Sequence, residues 1–276
     1  RKKWTIVEKD FLTDEKVVKP TSAWTFKDVN SERGSEQFVE LGFDKEIFQN
    51  PKPLGLLKRV LKISLNPLEE NIVLDFFSGS ASFAHAVMEF NKEHNSAIKH
   101  ISVQLPYIIQ PNEYAYKKGY RIISEITKER MTKAGKKNKA KGNGFKVFKL
   151  ALSNFKLWKN YSGSSLKELE LQFEKSAIPL VEGWVPQNLL IEILLIEGFP
   201  LDSKLEALDQ YKKNEVTMVT SDFCEHKLLG CLDKKVYTES IKNLKLNEDD
   251  IFICLDSAIN DQDKVTLQDK GLIKTI

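Results

Sequence analysis

The chain is poor in cysteine: Cys224, Cys231 and Cys254 are the three present, an odd number with no Cys-x-x-Cys pairing. That composition supports neither a disulfide framework nor a zinc site, and it fits buried free thiols in a reducing cytoplasm. Long apolar runs are also missing. The run Leu189 to Ile196 is too short to cross a bilayer and is interrupted by Glu192. No signal peptide is visible, so a soluble, cytoplasmic protein with no membrane partner is expected. An excess of one charge sign is lacking as well, with 42 basic against 39 acidic residues. A formal net charge of +3 does not establish a nucleic-acid partner, and any basic footprint has to be local. The chain opens on Arg1-Lys-Lys-Trp4 with no initiator Met, which points to a fragment of something longer.

What is present is a globular composition. With 276 residues, 41 % hydrophobic and 29 % charged, the chain can bury a core as one large domain or two ordinary ones. Its centre is Asn71-Ile-Val-Leu-Asp-Phe-Phe-Ser-Gly-Ser-Ala-Ser-Phe-Ala-His-Ala-Val87. Ile72 to Asp75 reads as a short buried strand ending in a carboxylate, followed by a Ser-Gly-Ser turn and a helix over Ala81 to Phe90. Such a joint lets a ligand approach the backbone at a helix N-terminus. It is equally the joint a tight strand-to-helix connection needs for packing alone.

Upstream, residues 1 to 34 read as polar, ordered loop held by single aromatics, Trp4, Trp24 and Phe26. Asn50-Pro-Lys-Pro53 is a rigid entry to an amphipathic helix over Leu54 to Ser64 with a basic outer face. Lys52 is either part of that turn or a cation presented to a ligand carboxylate. Downstream, His100 to Leu105 reads as a second strand ended by Pro106, with Gln104 at the tip where nucleotide sites usually carry Asp or Glu. A long helix is expected within Pro111 to Ala134. Two strands, each followed by a helix, predict a parallel sheet.

Taken together these blocks resemble the C-terminal half of type III restriction–modification methyltransferase subunits, of the β-class N6-adenine DNA methyltransferases. The resemblance rests on Asn50-Pro-Lys-Pro-Leu-Gly-Leu-Leu-Lys-Arg59, Asp75-Phe-Phe-Ser-Gly-Ser-Ala81, Val103-Gln-Leu-Pro106 and Tyr116 to Arg130, in that order. Gly144 to Trp158, Ile251 to Ala258 and Leu267 to Ile276 look like the distal region of the same family. It implies an α/β fold: a partial doubly wound parallel sheet of the S-adenosylmethionine-dependent methyltransferase type, plus a smaller C-terminal α/β domain. It also implies S-adenosyl-L-methionine as cofactor, double-stranded DNA as substrate, and a second methyltransferase subunit and a restriction subunit as partners.

The resemblance assigns cofactor roles by position. Asp75 would accept from the methionine ammonium, and Phe77, Ser78, Gly79 and Ser80 would line the loop with their backbone N–H groups facing ligand oxygens. Lys52 would lie near the carboxylate and Gln104 near the ribose. Two departures stand out. Ala81 replaces the family's second loop Gly, which narrows backbone approach. The catalytic Asp-Pro-Pro-Tyr-type tetrapeptide, which receives the flipped adenine, is absent from residues 1 to 276, so no catalytic residue is assigned. The family order places that motif upstream, and the chain by itself is expected to be inactive. A rival reading, a cofactor-bearing or assembly scaffold without catalysis, stays open. An NAD-dependent oxidoreductase is disfavoured, because no complete Gly-x-Gly-x-x-Gly is present and no acid ends the second strand.

The expected boundaries are a cofactor-binding part over 1–134, a basic Lys/Gly linker over 135–144 and an assembly domain over 145–276. The linker is read either as a solvated connector or as a contact for DNA phosphates. In the distal part, strands are expected at Phe145 to Leu152 and Asp250 to Leu255. A hairpin is expected from Glu215 to Leu232, turning at Cys224-Glu225, with helices at Leu166 to Lys175, Pro186 to Glu197 and Tyr237 to Leu244. His85 reads as a packing residue. The outer edge of the central strand needs a cover, expected from residues 1 to 34 or a second copy of the chain.

Overall fold

The computed structural model describes residues 21–66, 68–138, 144–157, 163, 165–176 and 179–276. Trp4, Pro67, Trp158 and most of the expected linker lie outside the described residues. The chain divides into two compact units that meet between Phe145 and Lys146. Mixed α/β structure builds both.

The first unit opens with a 3-10 turn, Lys27–Val29, and helix α1, Ser31–Glu40. Val29 to Gly34 is therefore not all loop. Asn30 stops the extended chain and caps α1, its side chain accepting from the Glu32 N–H at 3.1 Å. Helix α1 buries Phe38, whose ring stacks on Phe43 with centroids 4.3 Å apart. Helix α2, Leu54–Ser64, starts after Pro53, which offers no capping side chain. Gln37 of α1 supplies the cap instead, accepting from the Leu54 N–H at 2.9 Å. Gly34 and Gly55 allow the close approaches here. A Cβ on Gly34 would lie 1.9 Å from the Pro51 carbonyl oxygen, and one on Gly55 would lie 2.4 Å from the Asp28 carbonyl oxygen. The loop before α2 thus rests on α1, and α2 itself rests on the 3-10 turn.

Strand β1, Ile72–Asp75, pairs in parallel with β2, Lys99–Ser102, and helix α3, Ser82–His94, makes the crossover. Leu61 of α2 packs with Val87 and Phe90 of α3 and with Ile98. Lys58 of α2 bridges Glu89 and Glu93 of α3 at 3.1 and 2.7 Å. Helix α4, Tyr114–Lys117, and helix α5, Ile123–Asn138, replace the single long helix expected there. Gly119, at φ +101°, breaks it. Helix α5 runs through the first residues of the expected linker before ending at Asn138, whose amide donates to the Met88 carbonyl at 2.6 Å.

Strand β1 is not the buried strand the composition predicts. Its outward side chains Ile72 and Leu74 are 66 % and 46 % exposed, and among the described residues β1 has one strand neighbour. Residues 21 to 34 fold as the 3-10 turn and the start of α1 against α2, so they do not cover that edge.

The second unit holds one continuous core. Helices α6, Leu166–Ser176, and α7, Pro186–Ile196, precede a five-stranded mixed sheet. Its strands are β3 (Lys204–Ala207), β4 (Thr217–Thr220), β5 (Leu228–Cys231), β6 (Ile251–Cys254) and β7 (Leu272–Thr275), in that order across the sheet. The β3–β4–β5 pairings are antiparallel and the β5–β6–β7 pairings parallel. Helices α8, Thr238–Asn243, and α9, Asp261–Gln268, form the two parallel crossovers. The hairpin and the buried strand ending before Asp256 stand where the sequence pattern puts them. Strands β3 and β7 and helix α9 were not expected.

The predicted strand at Phe145 to Leu152 is absent. That segment has no ladder partner among the described residues, and Leu150 and Leu152 are almost fully exposed. Helix α7 buries Leu189, Leu190, Ile193 and Leu194 but leaves Leu195 and Ile196 to solvent, so it is one-sided rather than buried all round. Asp250 staples this unit. Its carboxylate accepts from the N–H groups of Lys227 and Asn247 at 3.0 and 2.6 Å. Burial alone would raise its pKa, but these bonds and the Lys227 ammonium hold it below the ordinary value.

Candidate functional site

The loop that leaves β1 at its carboxyl end and the loop that enters α2 face each other across an open cleft of about 690 Å³. Asn50, Pro51 and Lys52 form one wall, and Leu74 to Ser80, with Ser82, form the other. A cleft at the carboxyl ends of parallel strands is where α/β sheets take ligands.

Of the residues singled out in the sequence, Lys52, Asp75, Phe77, Ser78, Gly79 and Ser80 all line this cleft. Gln104 does not. Its side-chain oxygen accepts from the Gly79 N–H at 2.7 Å and its amide donates to the Leu105 carbonyl at 3.0 Å, so it supports the loop from behind. The expectation that loop N–H groups face a ligand also needs correction. The Phe77 N–H donates to Asp75 Oδ1 at 3.1 Å, the Ser78 N–H to the Val103 carbonyl at 3.1 Å, and the Gly79 N–H to Gln104. Three of the four are taken, one by Asp75 and two by the segment that follows β2, so recognition falls to side chains.

Those side chains suit a zwitterion. Lys52 is exposed and forms no ion pair among the described residues, while Asp75 keeps Oδ2 without a hydrogen bond there. An ammonium and a carboxylate on one cleft complement the carboxylate and ammonium of an amino-acid head group. Phe77 projects beside them, 82 % exposed, with Phe76 next to it. An exposed ring at a cleft offers a stacking face for a flat heterocycle.

The backbone of the loop is bent by two left-handed residues, Gly79 at φ +50° and Ala81 at φ +62°. A side chain at Gly79 would press on the Phe48 ring, which a Cβ would meet at 3.2 Å. Ala81 adopts the same region at an energetic penalty of about 1–2 kcal/mol. Its methyl group does not narrow the cleft as the sequence comparison implied. It is fully buried with Ala84, Met88, Met131 and Ala134.

Helix α5 braces this loop from below. Thr127 donates to the Gly79 carbonyl at 2.5 Å, and Arg130 Nη1 donates to Ser80 Oγ at 2.9 Å and Ser82 Oγ at 2.7 Å. Arg130 is 0 % exposed, and its charge lies 5.4 Å from the centre of the Phe38 ring. Burial pushes its guanidinium down to about 10, with Glu89 opposing the shift, so it remains a cation at neutral pH. Arg130 lies within the Tyr116 to Arg130 block, which by itself gives the residue no role. The available signal was an arginine in register with Ile126 and Met131.

His85 lies buried in α3 with Nε2 3.3 Å from Glu89. Burial pushes the imidazole below its ordinary value. Glu89 is held at about 2, by the His85 hydrogen bond first and then by Lys58. This places His85 in an internal α2–α3 network rather than along the cleft.

Comparison with known proteins finds likenesses over the first half of the chain. Residues 1–136 match the family model described as DNA methylase. Over 138 residues the chain is 33 % identical to the Mod subunit of the type III restriction-modification enzyme StyLTI of Salmonella typhimurium, covering 48 % of this chain and 21 % of that protein. Over 103 residues it is 38 % identical to the type III EcoP15I Mod subunit of Escherichia coli, covering 37 % and 15 %. Over 130 residues it is 28 % identical to the type II methyltransferase M.KpnI of Klebsiella pneumoniae, covering 47 % and 30 %. The chain thus spans about a fifth or less of the type III subunits named here, and under a third of M.KpnI. Among the described residues no helix is long and apolar enough to cross a membrane.

Proposed function

We propose that this chain is the S-adenosylmethionine-binding C-terminal portion of a DNA methyltransferase that methylates adenine N6 at specific sites in double-stranded DNA, within a type III restriction–modification system. The observation that carries the reading is the pairing of Asp75 and Lys52 across one cleft, on a chain whose residues 1–136 match the DNA methylase model. When bound, the cofactor supplies a methyl group on a sulfonium. Asp75 holds the head-group ammonium, Lys52 the carboxylate, and Phe77 offers its ring to the purine. The loop from Ser78 to Ser80 closes the floor, and Gln104 keeps that loop in place.

In this reading β1 and β2 belong to a doubly wound parallel sheet whose other strands lie elsewhere in the full protein. The parent acts in the cytoplasm with a second methyltransferase subunit and a restriction subunit. Residues 1–134 are its cofactor part and 145–276 its assembly part. No residue of this chain is assigned to catalysis, and the chain alone is inactive. A second reading, a cofactor-binding or assembly scaffold that pairs with a separate catalytic or restriction chain, draws support from the missing Asp-Pro-Pro-Tyr-type tetrapeptide. Methylation assays on the full parent separate the two, since inactivity on every candidate site favours the scaffold.

Calorimetric titration of S-adenosylmethionine into the chain tests the central claim. Saturable one-to-one binding that Asp75→Ala abolishes is expected. Binding unaffected by Asp75→Ala would refute the assignment. Light scattering after deletion of residues 145–276 tests the assembly role, which an unchanged oligomer size would remove.

A further inference from the structure

We propose that Arg130, resting on the cofactor reading above, is a positioning residue that makes the cleft selective for ligands carrying a carboxylate. Arginine is a donor only, so Ser80 Oγ and Ser82 Oγ are both acceptors toward Nη1. Their own hydroxyl protons therefore point elsewhere. One can bridge the two oxygens, which lie 3.3 Å apart, and the other is left to donate. Both serines line the cleft, so the free donor belongs to its floor.

The charge adds to the same preference. Arg130 is fully buried, forms no ion pair among the described residues, and leaves Nε and Nη2 without hydrogen-bond partners. A buried cation without an ion-pair partner, eased only by the more distant Glu89 and the Phe38 ring, is costly to a fold. Set one serine layer behind the cleft, it attracts an anion there more strongly than a surface lysine would. Lys52 meets such an anion from the opposite wall, while Asp75 takes the ammonium.

The test is calorimetric titration of two probes into the full chain and its variants. S-adenosylhomocysteine carries the amino-acid head group, and 5′-methylthioadenosine lacks it. The wild type is expected to favour the first at least tenfold. Arg130→Met is expected to lower that preference at least fivefold, weakening S-adenosylhomocysteine binding far more than 5′-methylthioadenosine binding. Arg130→Lys, which keeps the charge without the fork, should fall between. Equal loss for both probes would mean that Arg130 only supports the fold, and an unchanged preference would mean that it plays no part; either overturns the inference and leaves the cofactor reading standing. A wild type that binds neither probe overturns the cofactor reading itself, and this inference with it. If Arg130→Met fails to fold by circular dichroism, the preference measured in Arg130→Lys decides, and a value equal to wild type overturns the proposal.

Discussion

Gly34 in α1 lies directly under the carbonyl oxygen of Pro51, so close that any Cβ would sit 1.9 Å from it. This contact sets the height of one wall of the cleft, because Pro51 and Lys52 follow the helix. Gly34→Ala must push the loop outward or tilt α1. Overpacking of this kind costs about 1–3 kcal/mol. A lower melting temperature and weaker S-adenosylmethionine binding are both expected, by thermal denaturation and calorimetry. Unchanged affinity would show that the loop and α1 are not mechanically linked.

Ala81→Gly relieves a left-handed alanine, a gain of about 1–2 kcal/mol. Against this stand a lost buried methyl group, about 0.8 kcal/mol, and the greater chain entropy of glycine, about 0.5–1 kcal/mol. The net change in stability should stay within about 1 kcal/mol, by denaturant titration. Cofactor affinity should not move, since the methyl group points inward. A marked rise in affinity would mean that the methyl group obstructs the ligand.

Gln104→Ala leaves the Gly79 N–H without its acceptor. Losing a bond to a half-buried donor costs about 0.5–1.5 kcal/mol. The expected result is a modest loss of stability together with weaker S-adenosylmethionine binding, since the loop Gln104 holds is the floor of the site. A loss of affinity as complete as that of Asp75→Ala would instead argue for direct ligand contact by Gln104.

Glu89 contributes to acid stability. Its pKa falls from the ordinary 4.5 to about 2 on folding. A depressed carboxyl pKa contributes stability that is complete above pH 4.5 and is lost as pH falls toward 2. The group is one-third exposed, so solvent screening leaves roughly 1–2 kcal/mol of the nominal value. Glu89→Gln should therefore lower the melting temperature at neutral pH and flatten its decline between pH 4.5 and 2. Parallel curves for variant and wild type would show that the His85–Glu89–Lys58 network is not formed in solution.

Asp250→Ala removes the acceptor shared by the N–H groups of Lys227 and Asn247 in the second unit. Leaving these donors unpaired should destabilise that unit by about 2–3 kcal/mol, by denaturant titration followed with circular dichroism. No change would mean that water replaces the carboxylate without loss.

Local chemistry was legible in the sequence wherever it was local in space. The strand from Ile72, the Ser-Gly-Ser turn, the helix after it and the hairpin around Cys224 follow from apolar periodicity and turn residues alone. The cleft's rim, Lys52, Asp75 and Phe77 to Ser80, could be named because its motifs resemble those of a methyltransferase family, and each motif is short in sequence. What depends on contacts between distant residues could not be read. The capping of α2 by Gln37, the burial of Arg130 under Ser80 and Ser82, and the direction of the Ala81 methyl group all join separate segments. Strand β7 and the absence of a strand at Phe145 to Leu152 were likewise decided by partners, since an extended segment becomes a strand only when another edge accepts its hydrogen bonds. Sequence thus determined which residues can form the walls of the site, and tertiary packing decided which atoms of those walls remain free to meet a ligand.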